Sequence, residues 1–202
     1  MKRPLQRRGP KRMGGVVQGL LLIARGRPEG LDCFGATPDA FLAALSPWLA
    51  FLLVGLLMIM LREPSAVGFS LILLSLCALL LPPVLSHLMA RFWERSAFWL
   101  RYATATAWCE WLVIVAYAAS LLVVALLLKL GVPAPLAGIT FVGLIACYWL
   151  WLHWFLAWRG LALGWWRAAI LVALVVISTA VLCGLAQLLP PHVGMFAMQG
   201  TA

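Results

Sequence analysis

A chain of 202 residues that is 65% hydrophobic and only 10% charged, with a mean hydropathy of +1.04, has too little polar surface to fold as a soluble domain of that length. Lipid has to cover what so small an interior cannot hold. The net charge of +9 does not mark a nucleic-acid binder, because the basic residues sit in an N-terminal tail and between apolar runs, not on a folded polar module.

The tail comes first. Lys2, Arg3, Arg7, Arg8, Lys11 and Arg12 are expected to meet anionic lipid headgroups, at about 1 kcal/mol for each basic residue near the surface. Arg7 and Arg8 ahead of the apolar MGGVVQGLLLIA outline a secretory or twin-arginine signal, but Arg25 and Arg27 follow at once and no small-residue cleavage site appears, so the segment is read as retained. Met13, Val16, Val17, Leu20 and Ala24 share one helical face, with Gln18 and Arg25 elsewhere. That spacing predicts a short amphipathic helix, lying on the membrane surface or packing on the bundle. Residues 1–37 are this basic tail and interfacial helix.

Five apolar runs follow, each near the roughly 20 residues needed to cross about 30 Å of hydrocarbon. The first, 38–61, opens with Thr37 as cap and Pro38 in the first turn, and Pro47 interrupts it. The second, 66–89, follows the tight connection Arg62-Glu63-Pro64-Ser65, and Pro82 and Pro83 are expected to kink it. The third, 104–128, is closed by Lys129 and the stop residues Gly131, Pro133 and Pro135. The fourth covers 138–158. The fifth, 168–189, ends at Pro190-Pro191 and leaves a short tail, 190–202. Unbroken apolarity excludes the alternation of barrel strands, so the fold class is all-α, a polytopic membrane bundle of five transmembrane helices spanning 38–189.

Of the 15 Lys and Arg residues, 13 fall on one side of this arrangement; Arg62 and Lys129 alone lie on the other. The positive-inside rule then places the N-terminus in the cytoplasm and the C-terminus outside, in the periplasm of a bacterial inner membrane. Four of five cysteines, Cys77, Cys109, Cys147 and Cys183, lie inside apolar runs, and no Cys or His spacing fits a metal or redox pair; they read as small buried hydrophobes.

Tryptophan is distributed on one side. Trp93, Trp99, Trp108, Trp111, Trp158, Trp165 and Trp166, with Trp48 and Trp154, fall near the arginine-rich interface as candidate anchors, while Trp149 and Trp151 sit deeper. Such a cluster is either an uneven aromatic belt or a surface for a partner.

Apart from Asp39 in the first turn of the first run, Glu110 is the lone acidic residue inside a predicted span, about 13 Å along the helix from Arg101. A carboxyl at that depth is protonated, paired or facing water, because an unpaired charge there costs several kcal/mol. His87 and His153 fall at similar depth on the second and fourth spans, so the three side chains form a candidate intramembrane polar cluster. Two further readings of the histidines are a bis-histidine haem site and ordinary helix-packing hydrogen bonds. Bound lipids are expected, and no other cofactor. No Gly-rich phosphate loop, HExxH, GxSxG or paired carboxylate is present, and the connections are too short to carry a catalytic domain, so an enzyme acting on a soluble substrate is not expected.

The stretches AWCEWLVIVAYA, YWLWLHWFLAWRGLALGWWRAAILVALVV and LIARGRPEGLDCFGATPDAF resemble Yip1-like five-span membrane proteins, and are closer to small bacterial inner-membrane proteins of that type. The likeness is diffuse over most of the chain. It implies a cytoplasmic N-terminus, five spans and an inner-membrane location. Eukaryotic Yip1-type proteins act in vesicle trafficking with small GTPases and carry a long polar N-terminal domain that has no counterpart in this sequence, so the resemblance does not imply that role. Arginine outnumbers lysine 12 to 3, which fits a GC-rich bacterium.

Three functions follow from these features. The first is a non-enzymatic accessory, scaffold or assembly subunit working beside other membrane protein subunits. The second is a small transporter or channel component with Glu110 as a proton or cation site, and the third a haem-bearing electron-transfer anchor.

Overall fold

The computed structural model describes residues 14–62 and 66–187 and is built from helices, with no strand among them. The basic residues from Lys2 to Arg12, Met13, the connection at 63–65 and the C-terminal tail lie outside the described residues. Helix α1 (Gly14–Ala24) leads through a tight 3-10 turn at Pro28–Cys33 into five long helices: α2 (Pro38–Arg62), α3 (Ala66–Phe92), α4 (Ser96–Lys129), α5 (Ala134–Gly160) and α6 (Trp165–Gln187). All five are long and apolar enough to cross a membrane, which makes the chain a multi-pass integral membrane protein.

Thr37 caps α2 as expected, its Oγ1 accepting the Ala40 N–H at 3.2 Å with Pro38 in the first turn. Pro47 does not break α2, and α3 is likewise continuous through Pro82 and Pro83. The helices outrun the apolar stretches. α4 begins at Ser96 instead of 104 and α5 runs Ala134–Gly160 instead of 138–158, while α6 starts at Trp165. Hydropathy locates the part of a helix that lipid covers, whereas backbone hydrogen bonding continues until a cap or turn ends it. At 34 residues α4 is about 50 Å long, well beyond the hydrocarbon thickness.

Four helices end in one backbone motif. The N–H of Arg27 bonds to the Leu22 carbonyl after α1, Arg95 to Ala90 after α3, Val132 to Leu127 after α4, and Leu163 to Trp158 after α5. The residue before each donor has a positive φ: Gly26 at 71°, Glu94 at 58°, Gly131 at 84° and Ala162 at 48°. Each such turn reverses the chain in a few residues, so α3 to α6 run antiparallel, each to the next.

The long helices close a ring in the order α2, α3, α6, α5, α4, and α3 also touches α4 across it. Packing is concentrated at the arginine-rich end. Buried Ala90 on α3, Tyr102, Ala105 and Cys109 on α4, and Leu152 and Leu156 on α5 all belong to that half. Toward the opposite end, Leu61, Leu122, Leu126, Ile139 and Val181 are exposed, as befits side chains facing lipid.

α1 packs on the arginine-rich end of this ring through Val16, Leu20 and the buried Gly19 and Ile23, while Val17 and Leu21 are exposed. The amphipathic face is therefore rotated from the one read in the sequence, and Val17 and Ala24 leave it. Gly19 is the reason: it brings α1 against the 3-10 turn, where a Cβ on Gly30 would lie 2.7 Å from the Gly19 carbonyl oxygen. A hydrophobicity pattern does not register a glycine contact of that kind. Arg101 pairs with Asp32 at 2.9 Å, but both side chains are exposed, so the pair sets register more than stability.

Gly30→Ala is expected to lower stability by about 1–3 kcal/mol, because the rigid backbone opposite has to shift. Thermal unfolding in detergent checks this against Gly143→Ala, which meets nothing within 4 Å and leaves the melting temperature unchanged or slightly raised. In the same assay Ala162→Gly raises stability by roughly 0.5–1 kcal/mol by relieving the left-handed backbone.

Candidate functional site

The ring of helices frames a partly open cavity of about 260 Å³, with all five long helices contributing to its wall. Two of them use the same spacing. α3 lines it with Ala78, Leu79, Pro82, Pro83 and Ser86, and α4 with Tyr102, Ala103, Thr106, Ala107 and Glu110. Offsets of one, four, five and eight are one face of a 3.6-residue helix. α5 adds Trp149 and His153, four residues apart, and α6 adds Leu171, Val172 and Val175.

Glu110 and His153 meet in this wall. His153 Nε2 lies 3.0 Å from Glu110 Oε1, and His153 Nδ1 lies 2.9 Å from the Trp149 carbonyl oxygen one turn earlier. A carbonyl only accepts, so Nδ1 carries a proton and donates it there. The contact to Glu110 then holds one further proton. Either an imidazolium Nε2–H faces a carboxylate, or a carboxylic O–H donates to a neutral imidazole. Both arrangements have no net charge, which spares the pair the cost of a lone charge in an apolar surrounding.

The two partners are buried unequally. The His153 side chain is 9% exposed and that of Glu110 33%, so the imidazole is the fixed member and the carboxyl the one open to the cavity. The indole of Trp149 stacks on the imidazole with ring centroids 4.0 Å apart, which holds the ring plane as the carbonyl holds its tautomer.

His87 stands apart from this pair. Its ring lies edge-on to Trp99 at 4.5 Å, it does not line the cavity, and its buried Nδ1 has no hydrogen-bond partner among the described residues. Its neighbour Ser86 does line the cavity, accepts the Trp99 indole N–H at 3.1 Å and donates to the Pro83 carbonyl at 3.0 Å. The one-residue difference matters because neighbouring helical residues point about 100° apart. Depth along the membrane, which grouped His87 with His153, says nothing about that angle.

Both ring nitrogens of His153 are engaged, so haem ligation there would require breaking the Glu110 bond. Among the described residues no group of three or more His, Cys, Asp and Glu side chains is placed to hold a metal ion.

The tryptophans divide by role. Trp165 and Trp166 stack on each other and are 55% and 64% exposed. Trp93, Trp99, Trp108 and Trp158 pack against the core, and Arg159 lies 3.8 Å over the Trp158 ring. The indole N–H of Trp111 is buried without a partner among the described residues, its ring against Trp48, so it does not present a donor to headgroups. Trp149, placed deep by the sequence, backs the His153 ring. The i, i+4 spacing of Trp149 and His153 was the signal for their stacking, and the Pro82-Pro83 pair was the signal for an opened wall.

No family model matches this chain, and neither a curated protein nor a solved structure matches it.

Glu110→Gln retains a donor for His153 Nε2 and is expected to change stability by no more than about 0.5 kcal/mol, whereas Glu110→Leu leaves a buried nitrogen unpaired and costs about 1–3 kcal/mol. Paired thermal melts of the two purified variants read the difference, and equal melting temperatures would show that the bond contributes nothing.

Proposed function

We propose that this multi-pass membrane protein is non-enzymatic and carries a proton or small cation at Glu110, as a small transporter or channel component of a bacterial inner membrane. One observation carries the reading: the carboxyl of Glu110, partly exposed to an internal cavity, is hydrogen-bonded to a buried histidine whose other nitrogen is anchored on Trp149. Intramembrane carboxyl groups that face a cavity and share a proton with a fixed partner are the usual loading points of ion and proton paths. The short connections between helices and the lack of a catalytic motif support a role without chemistry on a soluble substrate.

Accessory or scaffold function leaned on the one-sided tryptophans. Most of those indoles are engaged within the chain, among them Trp99 on Ser86 and Trp154 on the Trp165 carbonyl, so they favour internal packing over a partner surface. The cation-site reading is preferred for that reason.

In this reading the arginine-rich end, with Arg91, Arg95, Arg101, Arg159 and Arg167, faces the cytoplasm, and Lys129 faces the periplasm. Single-cysteine variants on a cysteine-free background separate the two faces: an impermeant thiol reagent added to intact cells labels Lys129→Cys and spares Ala162→Cys, and the reverse pattern refutes the orientation. For the site itself, purified protein in liposomes with an imposed potential is expected to pass protons or a monovalent cation. The flux falls at least tenfold in Glu110→Gln; equal flux in the two would remove Glu110 from the path.

A further inference from the structure

The α3 wall of the cavity carries a second set of acceptors that no side-chain inventory counts. Proline has no N–H, so Pro82 and Pro83 leave the carbonyls of Ala78 and Leu79 without their α-helical donors. Leu79 loses more than Ala78. Its i+4 donor would be Pro83 and its tighter i+3 alternative Pro82, so neither bond can form. A helical proline ring abuts the carbonyl four residues earlier, and Ala78, Leu79, Pro82 and Pro83 all line the cavity, so the residues that carry the released oxygens belong to its wall.

The hydroxyls nearby are acceptors too. Thr106 donates its proton to the Tyr102 carbonyl at 2.9 Å, which leaves its oxygen free to accept, while Ser86 donates to the Pro83 carbonyl and already accepts from Trp99, which leaves it one lone pair. Across from α3 stands the Glu110 carboxyl. The rest of the lining is apolar or aromatic: Leu171, Val172 and Val175 from α6, and the indoles Trp48 and Trp149.

A bare metal ion would occupy a small part of about 260 Å³ and would leave those apolar walls without contacts. An ordinary anion would meet a carboxyl and carbonyl oxygens. What fits is a cation that brings its own N–H donors and an apolar body to fill the remaining space.

We propose that the cavity binds a small amphiphilic ammonium ion, a primary or secondary amine in its protonated form, with its N–H groups shared between Glu110 and the proline-released carbonyls of α3. The inference rests on the reading of Glu110 as a cation site and names the class of cation.

Titration calorimetry on the full-length protein in detergent tests it with three probes: benzylammonium, ammonium and benzyl alcohol. Benzylammonium is expected to bind saturably, at least tenfold more tightly than either of the others, and to lose at least tenfold in Glu110→Gln. The double variant Pro82→Ala with Pro83→Ala restores both N–H donors and closes the carbonyls. It is expected to weaken benzylammonium at least threefold while helicity by circular dichroism and elution volume stay as in the parent protein. Should the double variant misfold, Thr106→Val, which removes one acceptor at constant volume, is expected to weaken binding severalfold. Benzyl alcohol binding as well as benzylammonium would reduce the site to an apolar pocket and overturn the proposal, as would the absence of saturable binding or affinity indifferent to Glu110→Gln. Failure here with a Glu110-dependent flux of protons or inorganic cations in liposomes would sink the organic cation and leave the broader reading standing. Loss of both would sink the two together.

Discussion

Hydrocarbon removes the force that folds soluble proteins, since an apolar helix gains little by leaving lipid for another apolar helix. What holds this ring of helices is therefore close packing and a few polar contacts between neighbours. Three are arranged in sequence around it. Trp99 on α4 donates to Ser86 on α3, Glu110 on α4 meets His153 on α5, and the Trp154 indole on α5 donates to the Trp165 carbonyl at the start of α6. α2 has aromatic contacts in place of these, Phe41 with Trp99 and Trp48 with Trp111. All of these pairs lie in the half of the bundle that also buries the core, and the opposite half is left to lipid.

That arrangement explains how a polar pair persists beside an apolar cavity. The Glu110–His153 pair links α4 to α5 through a single shared hydrogen bond. Its geometry is supported from behind by Trp149, which supplies both the carbonyl that fixes the tautomer and the indole that fixes the ring plane. On the facing wall, the Pro82-Pro83 pair interrupts backbone bonding where irregular backbone is tolerated in a membrane helix, at a cavity and not at the lipid face. Two unrelated features of the chain, one acidic side chain and one proline pair, are brought to the same space only because α3 and α4 touch across the ring.

Five spans, the all-helical class and the Thr37 cap were legible in the chain, because each depends on local composition or on residues within one turn. The start of α4 at Ser96 was not, since Arg101 and Tyr102 look like the edge of lipid although the helix continues beneath α1. The packed face of α1 was missed for a related reason: it is chosen by the contact between Gly19 and Gly30, and glycine adds nothing to an apolar pattern. For the site, equal depth along the helices suggested three partners. Only His153 faces Glu110, because the rotation of each helix about its axis depends on its neighbours.

The order of apolar runs, prolines and arginines thus determined by itself that this chain crosses a membrane and how many spans it carries, for solvation by lipid acts on each segment separately. Tertiary structure alone decided which histidine meets Glu110, that Trp149 secures it, and that Pro82 and Pro83 line the same cavity. Those outcomes depend on helix adjacency and rotation, and in lipid these are set by side-chain shape and a handful of hydrogen bonds, not by any periodic signal a single strand of sequence can carry.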